Sequence, residues 1–349
     1  MARGRSVAEN DMKAVRFHEH GGFDVLRYEE APDPQLRAGE TVIRVRACAL
    51  NHLDIWNRRG VARLPLPHIL GADVAGEVVI SSDKDLSPGR RVLLQPGLSC
   101  GHCDACLDGR DNLCPQYDVL GSRSDGGYAE LVRVPVQNLV PIPDAIGFIE
   151  AAAFPLTFLT AWHMLVTRAK VRPGEDVLVL GAGSGVGQAA IQIAWLHGAR
   201  VFATAGTDEK LARAREIGAY EVVNHYTQDV PAEIRRFTDN RGVDVVIEHV
   251  GEATWDRSLK CMARGARLVT CGATTGYKVN IDLRFLFARQ YSLMGSYMGT
   301  KAELLRAIRF FFSGQLKPVV DRTFPLAEAA SAHAYLERGE QFGKVVLEV

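Results

Sequence analysis

Cys100, Cys103, Cys106 and Cys114 stand within fifteen residues of one another, spaced C-x2-C-x2-C-x7-C, with mostly polar residues and glycine between them. Four thiolates can close a tetrahedral shell around Zn²⁺ and leave no position open for substrate. A metal held this way orders its loop and takes no part in chemistry. The competing arrangement is two disulfides, which are uncommon in the reducing cytosol. The chain reads as cytoplasmic: Met1 to Asp11 carries two arginines but no apolar secretory segment, and is expected to be a disordered extension. One structural zinc per chain is therefore expected.

A second chemical feature is the run Gly181-Ala182-Gly183-Ser184-Gly185-Val186-Gly187. Strict G-x-G-x-x-G spacing fits in no register, whereas A-x-x-G-x-G fits on Ala182, Gly185 and Gly187. The physical requirement is the same in both forms. No side chain may block a pyrophosphate, and the helix that follows must present free N–H groups and positive potential. Many tight turns are glycine-rich for structural reasons alone, so context decides. Here the run follows the apolar strand Val177-Leu178-Val179-Leu180 and precedes a helix expected over 187–197.

The end of the next strand bears on the choice of nicotinamide cofactor. A carboxylate there would accept hydrogen bonds from the adenosine ribose and repel a 2′-phosphate. The residue is Ala205, with Lys210 about one helical turn onward and His225 and Tyr226 after the following strand. NADPH is expected over NADH. The dull alternative is that Lys210 is a solvated helix residue. Cofactor contacts are expected from Gly183, Ser184, Gly185, Val186 and Gly187 in the loop, and from Thr207, Lys210 and His225 beyond it.

Two kinds of element must position these groups. Residues 12–144 hold short β-type runs such as Thr41 to Arg46, Val74 to Ile80 and Arg91 to Leu94, broken by glycine and proline. That pattern predicts a barrel-like β unit. From 145 to 300 the rhythm changes to apolar strands alternating with helices, which predicts a doubly wound parallel sheet. The tail from 301 ends in Phe342-Gly343-Lys344-Val345-Val346-Leu347, a strand expected to rejoin the β-rich unit. The fold class is α/β in two domains.

Bulk composition excludes several partners. Lysine plus arginine and aspartate plus glutamate both number 41, so no net charge attracts nucleic acid or anionic lipid. No apolar run approaches the roughly 20 residues that span a bilayer. A small-molecule substrate is the expected partner.

Several stretches together resemble the medium-chain dehydrogenase/reductase superfamily: Leu50 to Asp54, Gly71 to Gly76, the four-cysteine lobe, Gly126 to Glu130, and Leu159-Thr160-Ala161-Trp162. The resemblance covers about 12–349. It implies a GroES-like catalytic domain, a Rossmann coenzyme domain, an active cleft between them, a cofactor contact at Thr160, and a homodimer or homotetramer. Zinc-type alcohol dehydrogenases of this superfamily hold a catalytic metal through a cysteine, a histidine, and a third cysteine or acid. The matching positions here read Asn51, Ala72 and Leu156, and the proton-relay hydroxyl is replaced by Leu53. In this the chain is similar to the quinone oxidoreductase and enoyl reductase branch, although most of that branch lacks the cysteine lobe.

Without a Lewis acid, an alcohol has no strong means of losing its proton at neutral pH. Hydride delivery to a C=C conjugated with a carbonyl asks less, because one or two hydrogen-bond donors can stabilise the developing oxyanion. Asn51 is the expected donor, Asp54 its orienting partner and Trp56 a wall of the pocket. The plain competitor is that Asn51 and Asp54 cap the helix starting near Leu53. His52 reads as a hydrogen-bonded helix residue. Two rival functions stand beside reduction of activated C=C bonds or quinones. One is an alcohol or aldehyde dehydrogenase with altered metal ligation, and the other a catalytically idle NADPH-binding protein.

Overall fold

Two sheet systems divide the chain, as the change of rhythm near residue 145 predicts. The computed structural model describes residues 11–349. The expected disordered extension lies outside the described residues except for Asp11, which opens the strand Asp11–Phe17 instead. In the β-rich unit, Glu40–Ala49 is the central strand. It pairs antiparallel with Asp73–Ser81, with Leu131–Pro135 and with the C-terminal strand Lys344–Glu348. The last pairing sets Val346 opposite Ala49 and Leu347 opposite Cys48, so the chain's end closes the domain that its beginning opened.

The second sheet has six strands, all parallel. Asp176–Val179 lies centrally, with Arg200–Ala205 and Glu221–Asn224 on one side and Val243–Glu248, Met262–Thr270 and Ser292–Gly295 on the other. Strand order therefore reverses between Asp176–Val179 and Val243–Glu248, and such a switch point opens a crevice at the carboxyl ends of the strands. The sixth strand, Ser-Leu-Met-Gly, is too short and too mixed to announce itself in sequence.

Between the two sheets runs 148–168, where the sequence from Ile149 to Lys170 reads as a largely helical pattern. It is three segments: Phe148–Ala153, Pro155–Trp162 and the π-helical turn His163–Arg168. Pro155 causes the first break, since it lacks an N–H and is tolerated only at a helix start. Every residue of Pro155–Trp162 is buried. Phe154 stacks on Phe158 and Phe311 with ring centroids 4.3 and 4.5 Å apart. One apolar cluster thus runs continuously from Ala47 and Ala49 of the β-rich unit to Val177 and Val179 of the parallel sheet.

A buried polar chain lies under the short helix His52–Arg58. Asp54 accepts from Asn51 N at 2.7 Å, Gly71 N at 3.2 Å and the Tyr128 hydroxyl at 3.3 Å. His333 joins the chain, 3.2 Å from the Tyr128 oxygen and 3.3 Å from an Arg58 nitrogen, and Arg58 also pairs with Glu337. Burial, then the Arg58 charge, press the His333 pKa down to about 3. Burial likewise lowers His52 to about 4 and raises Asp54 to about 6.

The signs follow from proton linkage. A histidine depressed in the folded state contributes stability that is present above about 6.5 and lost as pH falls toward its folded pKa. Asp54 acts oppositely, losing stability as pH rises from about 3.9 to its folded value. Between pH 4 and 6 the two histidines outweigh it by one proton. Urea unfolding should therefore show stability falling with acid, and His333→Gln should make that slope shallower by about 1.4 kcal/mol per pH unit. An unchanged slope in His333→Gln would show that His333 takes up no proton on unfolding.

Candidate active site

The carboxyl ends of the parallel strands and the start of the helix His52–Arg58 face each other across a cavity of ≈ 300 Å³. Asn51, His52 and Trp56 line it from the β-rich side, Thr160 from the buried connecting helix, and Ser184, Gly185 and Val186 from the glycine loop. Asp54 does not line this cavity. It sits beneath the helix start, and its bond to Asn51 N holds the backbone turn.

The cavity base carries a charge that the sequence reading did not place. Lys344, in the closing strand, is 2% exposed and Asp73 is fully buried. The ammonium donates to Asp73 Oδ2 at 2.9 Å, Asn51 Oδ1 at 2.6 Å and the Leu50 carbonyl at 2.7 Å. Asp73 also accepts from Asn51 Nδ2 at 2.9 Å and from Leu156 N at 2.7 Å. Asn51 and Leu156 thus meet, as the resemblance implies, but around a lysine.

This arrangement corrects the expected role of Asn51. Its oxygen is taken by Lys344 and its Nδ2 donates to Asp73 and, at 3.4 Å, to the Ala49 carbonyl. No free donor remains for a substrate oxygen. The group that can donate into the cavity is His52, read from sequence as an ordinary helix residue, which lines it. Thr157 lines it too, with its Oγ1 buried and without a partner among the described residues. Lys344 had a visible signal: a lone lysine in an otherwise apolar strand must find a partner, because a buried unpaired charge is prohibitively costly. Thr157 had none.

The glycine loop meets the physical demands of a phosphate cradle. Ser184 caps the helix Gly185–Leu196 by accepting from Gly187 N at 2.8 Å. A Cβ on Gly187 would lie 2.2 Å from the Gly181 carbonyl oxygen, so any larger residue would push the helix off the strand. Beyond the loop, an open pocket of ≈ 640 Å³ is lined by Gly183, Thr207, Lys210 and His225, with Arg338 contributed by the end of the helix Ala329–Glu337. Thr207 caps the helix Asp208–Glu216, and Lys210 Nζ rests on the Gly339 carbonyl at 2.5 Å. Glu209 and Glu340 share the pocket, and Glu340 pairs with Arg338 at 2.5 Å.

The four cysteines converge. Their Sγ atoms all lie within 4.8 Å of one another, with Cys103–Cys106, Cys114–Cys100 and Cys100–Cys106 at 3.5, 3.6 and 3.9 Å. A tetrahedral Zn²⁺ with bonds of about 2.3 Å sets sulfurs about 3.8 Å apart, whereas a disulfide needs about 2.05 Å. The donor set fits a structural zinc. Gln116 N points at Cys114 Sγ from 3.3 Å, an outer contact that orients a thiolate ligand.

Comparison with known proteins identifies two family profiles, "Zinc-binding dehydrogenase" over residues 185–313 and "Alcohol dehydrogenase GroES-like domain" over residues 37–144. A quinone oxidoreductase of Pongo abelii is 30% identical over 359 aligned positions, covering 99% of this chain and 99% of its own. An alcohol dehydrogenase of Geobacillus stearothermophilus is 33% identical, covering 93% of this chain and 96% of its own. A solved structure described as an NAD-dependent alcohol dehydrogenase matches with a TM-score of 0.94 at 49% identity, covering 97% of this chain and 100% of its own.

Proposed function

The chain belongs to the medium-chain dehydrogenase/reductase superfamily of oxidoreductases, and we propose that within it the protein is an NADPH-dependent reductase of activated C=C bonds or quinones that works without a catalytic zinc. The observation that carries this reading is the Lys344 ammonium, bonded to Asn51 and Asp73 at the cavity base. Asn51, Ala72 and Leu156 offer one weak ligand between them, and the carboxylate nearby is already neutralised. The base of the site holds a balanced ion pair where a Lewis acid would be needed to ionise an alcohol.

When bound, the reduced nicotinamide supplies a hydride. Val186 and Thr160 would bound the space for its ring, and Ser184 and the loop N–H groups would hold the pyrophosphate. Hydride addition to the β-carbon moves the C=C electron pair onto the conjugated oxygen. His52 stays neutral because burial holds its pKa near 4, so it offers an N–H to that oxygen without carrying a charge. Water then delivers the proton that completes the saturated product. Trp56 screens one side of the cavity.

NADPH is supported by Lys210, His225 and Arg338 meeting in one pocket with Ala205 at its floor. Lys210→Ala should raise the KM for NADPH about 10- to 100-fold, the worth of one hydrogen bond to a charged group, and leave the KM for NADH almost unmoved. Equal effects on both cofactors would refute a 2′-phosphate contact.

The function is tested by NADPH oxidation against quinones, enones, enoyl thioesters and aldehydes, with zinc counted per chain. Turnover of conjugated acceptors that survives EDTA, with one zinc, supports the reading. Alcohol or aldehyde turnover with two zincs and a preference for NADH would replace it by the reading that the name of the 49% identical relative suggests. Binding of NADPH with no turnover of any acceptor would leave an idle cofactor-binding protein.

Self-association is part of the same reading. The strand Ser292–Gly295 ends the parallel sheet, and the nearby helix Leu283–Ala288 leaves Leu283, Phe285 and Phe287 65%, 56% and 71% exposed. An open edge beside apolar side chains favours a homodimer or homotetramer built through the coenzyme domain.

A further inference from the structure

We infer that the acceptor site continues into a second compartment, which binds a hydroxyl group at the far end of a bulky apolar substrate, with His163 Nε2 as its hydrogen-bond acceptor. The inference rests on the reductase reading and names its substrate class: conjugated carbonyl compounds or quinones with a long or multi-ring apolar body ending in a hydroxyl.

The compartment measures ≈ 1150 Å³ and lies beside the smaller cavity, with Trp56, Cys271, Gly272 and Tyr297 lining both. A small quinone or enone would leave most of it as solvent, since compartments of about 300–1,000 Å³ hold drug-sized ligands. The indoles of Trp56 and Trp255 and the phenol rings of Tyr277 and Tyr297 give it flat apolar walls.

Its polar groups are few and of defined sense. His163 opens the π-helical turn, a rare winding that recurs at functional sites. Burial pushes Glu303 upward, but bonds from His163, Thr167 and the Thr300 N–H outweigh it and hold the carboxyl at about 2. An ionised carboxylate only accepts, so His163 Nδ1, 2.9 and 3.0 Å from its two oxygens, carries the proton. In neutral imidazole the other nitrogen is then an acceptor. His163 lines the compartment, and its Nε2 has no protein partner among the described residues yet is not sealed from solvent, which leaves it to the compartment.

Trp255 and Ser296 also line the compartment, but Trp255 Nε1 and Ser296 Oγ are themselves buried away from it. A lone acceptor suits a group that can donate to it. A hydroxyl does so, whereas an ether or a carboxylate cannot donate to His163. Arg110 and Arg168 also line the compartment, Arg110 bonded through Nη2 to Asp108 and Arg168 through Nε to the Gly295 carbonyl, so a carboxylate-ended chain is the competing occupant.

The test uses the holoenzyme and three naphthoquinones bearing the same alkyl chain, ended by a hydroxyl, a methyl ether or a carboxylate, with 1,4-benzoquinone as the short acceptor. The hydroxyl compound should exceed the other two in kcat/KM by about tenfold or more, as for a site built to pair a hydroxyl. In His163→Gln, which keeps an amide N–H for Glu303, that ratio should fall toward one. Benzoquinone turnover with no preference among the three chains would overturn the subsite and leave the reductase reading standing. A preference for the carboxylate would overturn the hydroxyl assignment. If no quinone turns over, the reductase reading fails, and quenching of tryptophan fluorescence by the hydroxyl compound with NADP⁺ bound still decides the subsite. Tighter binding than the ether, lost in His163→Gln, upholds it, and equal binding overturns it.

Discussion

Lys344→Met is expected to destabilise the folded protein by about 3–5 kcal/mol, the range found when one partner of a buried ion pair is removed. The loss comes from what remains. Asp73, fully buried, would keep Asn51 Nδ2 and Leu156 N as donors but no counter-charge. Its carboxyl would have to stay ionised in an apolar surrounding or take up a proton, and either course costs free energy that the unfolded chain does not pay. Asn51 would lose the donor to its oxygen as well, freeing the turn that presents His52 and Trp56 to the cavity. Urea unfolding at pH 7 measures the first effect and kcat for a conjugated acceptor the second. The double variant Lys344→Met with Asp73→Asn should recover a large part of the stability, since the asparagine oxygen can still accept from Leu156 N with no charge left over. Recovery of stability without recovery of turnover would assign the lysine's charge to the reaction as well as to the fold. A single variant as stable as the parent would show that the pair does not hold the cavity base.

Cys103→Ser is the second large effect. Zinc should fall from one ion per chain to none, because the loop has little besides metal to organise it. Leu107 and Leu113 are 74% and 60% exposed, so the lobe has almost no core of its own. Structural zinc in small peptides contributes roughly 10–16 kcal/mol of apparent binding free energy at neutral pH, which is the folding free energy of such a unit. Two bonds then tie the ordered lobe to the body: Lys301 N to Asp111 at 3.2 Å and Asn112 Nδ2 to the Tyr297 carbonyl at 3.4 Å. Through Asn112 and Leu113 the lobe also walls the larger compartment. Loss of the metal should open residues 100–114 to proteolysis, leave the parallel sheet folded, and raise the KM for long acceptors more than for benzoquinone. Elemental analysis with limited proteolysis checks this. A variant that keeps its zinc and resists cleavage would refute it.

How much of this could be read from sequence depends on the range over which each feature is encoded. The zinc lobe lies within fifteen residues, and a thiolate cluster needs only chain proximity and a tight turn. The glycine loop is similarly local: strand, turn and helix follow one another, and Ser184 caps the helix it precedes. Alternating apolar strands and helices then imply a parallel sheet with a crevice at its switch point. All of these came from residues close in sequence.

The cavity base is different. Lys344 reaches Asn51 across 293 positions and Asp73 across 271, because the last strand pairs beside the central one. That pairing turned Asn51 from the expected donor into a spectator with both ends of its amide engaged. The same folding back brought Arg338 to the pocket of Lys210 and His225, and the contact of Glu303 with His163 spans 140 positions. The sequence by itself determined the superfamily, the metal lobe and the phosphate cradle, since short-range spacing suffices for each. Only the tertiary structure decided which side chains remain free to meet a substrate, because a polar group's availability depends on what long-range packing has already bonded to it.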